Sequence, residues 1–334
     1  MDNLNAVPKT GGSNYSPDLF VPASDAEKAS VSVMRPVSSY WKDAWKSLRK
    51  NKVALASMIL IVVVVLSSII IPLLSPYGFE EISNNSNASP SFEHPFGTDT
   101  LGRDLLVRNM VGTRISILIG LISAIVVVFI GVVYGAIAGY FGGWVDTVMM
   151  RIVDIIYSVP TVLLAILLQV ALKDPLTKLL DSGNMPVLSG VGPGLISIIL
   201  VLIAVYWVDM ARIVRGQVLS LKQQEYVLAS KTLGSSGFRI IMKHLIPNCM
   251  GSIIITATLK IPQGIFFEAF LSFIGLGVSA PMASLGSLVS DGIKSIYALP
   301  YQALFPSLVI AVIILAFNLF GDGLRDALDP RMKR

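Results

Sequence analysis

EYVLASKTLGSSGFRIIMKHLIPN, residues 225–248, is a polar interruption in a chain otherwise apolar enough to dissolve in lipid. Glu225, Lys231, Arg239, Lys243 and His244 bring charge into it, Gly234-Ser235-Ser236-Gly237 breaks it, and Pro247 closes it. Residues 217–233 favour helix, since Leu, Lys, Gln, Glu and Ala dominate and neither Gly nor Pro occurs. Glycine tolerates the left-handed conformation that ends a helix. The chain should therefore reverse at Gly234, and a second helix should follow from Phe238 with Ile241 and Leu245 on one face. The expected object is a helix–turn–helix knuckle held out of the bilayer. A solvated loop with snorkelling lysines is the plainer alternative. Against it, Leu, Ile and Phe on a short excursion toward water need a cover, either the body of the same protein or a second protein.

Composition sets the class. Hydrophobic residues make up 54% of the 334 and charged residues only 14%, with a mean hydropathy of +0.72. A soluble domain spends about a quarter of its residues on charge, so this is a membrane protein. The net charge of +5 belongs to basic residues interleaved with apolar spans, which the positive-inside bias explains without nucleic acid. The single cysteine, Cys249, excludes an internal disulfide and a cysteine metal cluster, and two histidines, His94 and His244, argue against a histidine metal site.

A hydrocarbon core about 30 Å thick needs roughly 20 apolar helical residues. Six segments qualify: 53–74, 115–139, 148–172, 195–211, 251–272 and 303–323. The first starts too far in, and is too long, for a cleaved leader. Lys and Arg concentrate before the first span (Lys42 to Lys52), after the fourth (Arg212 to Lys243) and at the C-terminus (Arg325 to Arg334). An even number of spans puts all three on one side, which the positive-inside rule makes cytoplasmic. Both termini and the opening stretch are thus expected in the cytoplasm, in a multi-pass protein of the cell membrane.

Residues 1–38 are rich in Ser, Pro, Asn and Asp and read as a disordered cytoplasmic tail. An N-terminal region, 39–114, holds the first span and an outside loop. In that loop 83–91 reads as flexible, with Asn84 and Asn87 in glycosylation sequons that matter only in a eukaryotic secretory pathway. After it, Thr98 or Asp99 can cap an interfacial helix whose apolar face holds Leu101, Leu105 and Val111. The Asp99–Asp104 spacing has a faint likeness to a calcium loop but lacks its acidic run and terminal Glu. The main membrane domain is expected over 115–323, with a coupling loop at 212–250 and a cytoplasmic C-terminus at 324–334.

The knuckle resembles the coupling motif of ABC importer permeases: EAA, three residues, Gly, nine residues, Ile-x-Leu-Pro. Leu228-Ala229-Ser230 stand at EAA, Gly234 follows, and nine residues later come His244, Leu245, Ile246 and Pro247. Leu228, Ser230 and His244 depart from the pattern, and Glu225 lies three positions too early to be its glutamate. Further stretches are similar to the C-type permease of oligopeptide and dipeptide importers: 94–117, 149–160, 210–234, 268–286 and 321–333. The resemblance implies an all-α polytopic membrane protein with the six transmembrane helices of the type I ABC importer permease fold. A cytoplasmic coupling helix would lie between helices 4 and 5. It implies a second, B-type permease, two ABC ATPase subunits below, and an extracytoplasmic peptide-binding protein above. Carried over by position, the ATPase-coupling residues are Glu225, Ala229, Ser230, Gly234, Arg239, His244 and Pro247. The chain has no G-x-x-x-x-G-K-[ST] phosphate loop, so ATP and magnesium would belong to the ATPase subunits. No catalytic residue, metal or cofactor is expected in this chain.

Charge within the spans marks the pathway candidates. Lys260 and Glu268 lie in the fifth segment and Asp209 near the end of the fourth, and charge at membrane depth faces the bundle interior, a partner or water. Lys260 either lines the pathway and meets a peptide carboxylate or carbonyl, or pairs with an acid such as Glu268 or one on the partner permease. Asp322, Arg325, Asp326 and Asp329 suggest a polar network bracing the knuckle or the ATPase. An ion-coupled transporter or channel should show mid-span carboxylates and an inverted repeat, and no such repeat is evident. An intramembrane enzyme would want a histidine in a span, and none lies there.

Overall fold

The computed structural model describes residues 40–181, 192–278 and 282–328. The chain divides into two units, Met1–Asp43 and Ala44–Arg334. The membrane-spanning helices and the knuckle belong to the second, and the tail 1–38 lies outside the described residues.

The elements are helices: α1 (Tyr40–Lys50), α2 (Lys52–Leu74), α3 (Leu105–Phe141), α4 (Gly143–Ser158), α5 (Thr161–Asp181), α6 (Pro193–Leu221), α7 (Glu225–Thr232), α8 (Gly237–Ile240), α9 (Ile246–Phe273), α10 (Leu285–Ile293) and α11 (Tyr301–Leu328). A π-helical turn, Ile241–Leu245, joins α8 to α9, so Gly237–Phe273 is one long span. Pro247 accounts for that turn. It has no N–H for the Lys243 carbonyl and its ring crowds that carbonyl, so the ladder widens. Among the described residues five helices are long and apolar enough to cross a membrane, and the pair α4–α5 makes a sixth span if counted as one.

Three sequence expectations need correction. The third apolar segment, 148–172, is not one helix: α4 and α5 meet at 88°. Pro160 drives Val159 out of the helical region, to φ −87° and ψ 130°. The interfacial helix capped by Thr98 or Asp99 does not exist. Asp104 is the cap, its Oδ1 accepting from the Val107 amide at 2.8 Å, and α3 runs unbroken for 37 residues, about 55 Å at 1.5 Å per residue. The stretch 83–91 is pinned rather than loose. The Ser83 hydroxyl donates to the Gly102 carbonyl and the Ser86 hydroxyl to that of Thr100, each at 2.7 Å. The Ala88 amide donates to Thr98 Oγ1 at 2.7 Å. Asp99 is taken by the Arg103 Nε at 2.7 Å and Asp104 by His94 Nδ1 at 2.7 Å, so both acids have protein partners in place of the calcium alternative.

The bundle is organised by the seat of α3 on α6, its most extensive helix contact. Gly131, Gly135 and Gly139 recur every fourth residue along α3 and face Met210, Ala211 and Val218 of α6. A Cβ on Gly135 would overlap the Ala211 carbonyl oxygen. Small residues at this spacing let two backbones approach in a membrane, where dispersion rather than hydrophobicity drives association. Above the seam a core of Ile115, Ile119, Ile198, Leu202 and Leu271 joins α3, α6 and α9. Outside the spans, α10 starts with a capping box of Ser284 and Ser287 and sinks Leu285 among Ile265, Ile313 and Phe317. No apolar run of span length marks this helix in the sequence.

The seam gives a direct test. Gly135→Val should drive the helices apart and lower the thermal stability of the detergent-solubilised protein by on the order of 1–3 kcal/mol or more. Gly216→Ala, on the same α6 but with nothing within 4 Å of the new Cβ, should be neutral or gain up to about 1 kcal/mol. Equal melting temperatures for wild type and Gly135→Val would rule out the close approach.

Candidate functional site

The knuckle is built from one short helix and one turn, and both follow from local chemistry. α6 ends at Leu221, and Lys222 reaches back so that its Nζ donates to the Gly139 carbonyl at 2.9 Å, filling an orphan acceptor at the C-terminus of α3. Gln224 then starts α7, whose first residue is Glu225. The predicted helix 217–233 is therefore two helices with a break at 222–224. α7 ends in a Schellman motif: Gly234 sits at φ +80°, its amide donates to Lys231, and the Ser235 amide donates to Ser230 at 3.1 Å. Ser236 caps α8, its hydroxyl accepting from the Arg239 amide at 3.4 Å. The second knuckle helix expected from the sequence is the first turn of the span that continues to Phe273.

The cover over the knuckle's apolar residues is divided. Val227, Ile240, Ile241 and Leu245 are buried in one core with Met210, Val214 and Val218 of α6 and Ala136 of α3. Tyr140 of α3 closes this core, and a Cβ on Gly237 would meet its ring at 2.8 Å. The protein's own body covers that half. Leu228, Leu233, Phe238 and Met242 are 51%, 86%, 75% and 51% exposed. Beside them lies an open cleft of about 510 Å³ whose lining includes Tyr140, Phe141, Lys222, Leu228 and Lys231. Of the residues carried over from the motif, Glu225, Ala229, Arg239 and Pro247 are exposed, and Ser230 and His244 are half-buried. Ser230 Oγ lies 3.4 Å from His244 Nε2, so these two motif departures meet each other. Leu233 and Phe238, the most exposed apolar groups of the knuckle, are absent from the motif. Apolar residues flanking a glycine turn are the signal that could have found them.

Level with the seam, α4 is clasped to α6. Arg215 makes a bidentate pair with Asp146 at 2.5 and 2.6 Å. Arg212 pairs with Asp154 at 2.7 Å and stacks 4.1 Å over the Tyr157 ring. The bend between α4 and α5 then opens onto a cavity of about 450 Å³, lined by Tyr157, Tyr206, Asp209, Gln263, Phe266 and Phe267 among others. A second, of about 440 Å³, shares Tyr157, Asp209 and Gln263 and adds Arg212 and Lys260.

Lys260 has an acidic partner, but not Glu268. Its Nζ donates to Asp209 Oδ2 at 2.7 Å and stands 5.1 Å over the Tyr206 ring. Residues eight apart on one helix are about 12 Å apart along its axis, which keeps Lys260 and Glu268 from meeting. Glu268 is fully enclosed, receiving the Ser116 hydroxyl at 2.5 Å and that of Ser272 at 2.8 Å, and it lines neither cavity. Of the expected C-terminal network, Asp322, Arg325 and Asp326 are exposed, and among the described residues no ion pair joins them. Asp329 lies outside the described residues. That end of α11 packs instead on α2, where a Cβ on Gly323 would overlap Ala54.

Among the described residues no group of three or more His, Cys, Asp or Glu could hold a metal. The site offers an exposed apolar rim at the knuckle and, within the spans, two cavities lined by Asp209.

Comparison with known proteins places this arrangement. Residues 131–334 match the family model described as binding-protein-dependent transport system inner membrane component. Residues 39–92 match the N-terminal TM domain of oligopeptide transport permease C. The chain is 45% identical to the oligopeptide transport system permease protein OppC of Bacillus subtilis over 326 residues, 96% of this chain and 99% of that one. It is also 45% identical to the dipeptide transport system permease protein DppC of the same organism, over 96% of this chain and 95% of that one. To the Escherichia coli OppC it is 40% identical, over 88% of this chain and 92% of that one. The all-α polytopic architecture with a short helix between the fourth and fifth spans is the type I permease fold. This chain belongs to the family of binding-protein-dependent transport system inner membrane components, as a multi-pass membrane permease subunit and not an enzyme.

Proposed function

We propose that this chain is one of two permease subunits of an ATP-driven importer of oligopeptides or dipeptides, and that its knuckle is the seat of an ATPase subunit. The observation that carries the reading is the uncovered apolar rim: Leu228, Leu233, Phe238 and Met242 stand exposed on a rigid turn, beside basic Lys231 and Arg239. An apolar patch of this kind, on the short helix α7 and the first turns of the span that follows it, marks a protein contact. Val227, Ile240 and Leu245 anchor the same turn to α3 and α6, so a push on the knuckle reaches α6, which lines the cavity. The names of its relatives support peptide as cargo. In this reading a B-type permease completes the pathway, two ATPases supply ATP and magnesium from below, and a binding protein delivers peptide from outside. Lipid surrounds the spans.

The orientation is part of the proposal and rests on the asymmetry of Lys and Arg. Cysteines introduced one at a time test it. Ser86→Cys should react with an impermeant thiol reagent in intact cells whose outer layers admit it, and Ser236→Cys should react only after permeabilisation. The opposite pattern defeats the orientation.

The coupling role is tested at Gly234, Leu233 and Phe238. A Cβ in the left-handed region costs roughly 1–2 kcal/mol, so Gly234→Val should deform the turn, whereas Gly234→Asn, which tolerates that region, should be milder. Leu233→Asp and Phe238→Asp change side chains that touch little in the free chain. All but the Asn variant should insert and pair with the second permease, yet lose ATPase on co-purification and lower peptide uptake tenfold or more. Unchanged ATPase recruitment and full uptake in both aspartate variants would leave the solvated-loop alternative standing.

A further inference from the structure

The Lys260–Asp209 pair is lopsided. Its lysine side chain is 5% exposed and its aspartate 46%. Asp209 is bonded through Oδ2 alone, and among the described residues no hydrogen bond reaches its Oδ1. It lines both cavities, while Lys260 lines only one. A molecule entering this space meets the carboxylate, with the ammonium hidden behind it.

The surroundings extend the asymmetry. Arg212 is the other charged residue among the groups lining the two cavities, and it is held by Asp154 and the Tyr157 ring. It is therefore occupied. Phe266 and Phe267 line the larger cavity beside Tyr157 and Tyr206, whose rings Arg212 and Lys260 already stand over, and aromatic faces attract cations. A carboxylate with one free oxygen inside an aromatic wall is a site for an ammonium cation.

We propose that Asp209 reads the cargo by binding its ammonium group, and that Lys260 keeps the site weak enough to release it. A lone charge at membrane depth is costly, and Lys260 partners Asp209 at 2.7 Å when no cargo is present. The same lysine competes for the carboxylate when cargo arrives. A pathway must bind its substrate well enough to admit it and loosely enough to let it go. The ammonium comes either from the peptide amino terminus or from a basic side chain, and both present the same chemistry. This inference rests on the reading of the chain as a peptide permease.

The test uses the complete reconstituted transporter, with its binding protein at saturation, and three labelled probes. These are trileucine with a free amino terminus, N-acetyl-trileucine, and an N-acetylated tripeptide with a central lysine. Wild type should move the free peptide about tenfold faster than its acetylated form. Asp209→Asn with Lys260→Gln removes both charges together and so leaves no unpaired ion, and its ratio should fall toward one. The exchanged pair, Asp209→Lys with Lys260→Asp, keeps the ion pair but shows a cation to the cavity, and its ratio should invert. Either double variant suffices if the other fails to assemble. Uptake of the acetylated lysine peptide at the free-peptide rate assigns the site to any ammonium; slow uptake assigns it to the amino terminus. A wild-type ratio of one, or a tenfold ratio retained in an assembled double variant, overturns the proposal. A wild-type complex that moves none of the probes defeats the peptide reading as well.

Discussion

Everything at the knuckle end of this protein depends on two helix backbones being allowed to touch. Gly131, Gly135 and Gly139 remove the side chains that would hold α3 away from α6, and Met210, Ala211 and Val218 fill the space. With that seam closed, Ala136 of α3 and Val214 and Val218 of α6 form the floor on which Val227, Ile240 and Leu245 settle. The C-terminus of α3 then lies where Lys222 can reach Gly139 and where the Tyr140 ring abuts Gly237. The knuckle is thus fixed by the packing of two spans, and its turn is fixed by a single glycine at φ +80°.

Several charges inside the spans hold the bundle, and Asp209 is paired yet faces a cavity. Glu268 is enclosed and satisfied by serines from α3 and its own helix. Arg215 with Asp146 and Arg212 with Asp154 tie α4 to α6 below the bend at Pro160. A charge at depth is tolerated where it has such partners. Asp209 differs from these because it is both paired and open to the cavity. The clasps and the bend flank two neighbouring cavities, and α6, one of the helices that hold the knuckle, also lines both.

Much of this was legible from residue type. Apolar runs of roughly 20 residues located the spans, and Gly234 located the reversal, because both signals are local. The boundary errors have local causes that the apolar runs alone do not show. Nothing between Leu105 and Ile115 breaks a helix, so α3 begins well before the apolar run. Pro160 splits the third segment through its effect on Val159, a rule the sequence could have yielded. The Gly131, Gly135 and Gly139 spacing was equally readable and points to a helix seam. The partner of Lys260 was not readable, since Asp209 is 51 residues away and only the packing of α6 on α9 brings it within 2.7 Å. The exposure of Leu233 and Phe238 was open for a similar reason: the same local pattern buries Ile240 and Leu245 and leaves those two uncovered.

That the uncovered rim is a protein contact is tested most directly by a photo-crosslinking amino acid at Phe238 in the assembled transporter. Illumination should join this chain to an ATPase subunit, in a product identified by mass spectrometry and lost when the probe is moved to the buried Ile240. Crosslinks to lipid or water alone from position 238, in complexes that retain their ATPase, would contradict the contact.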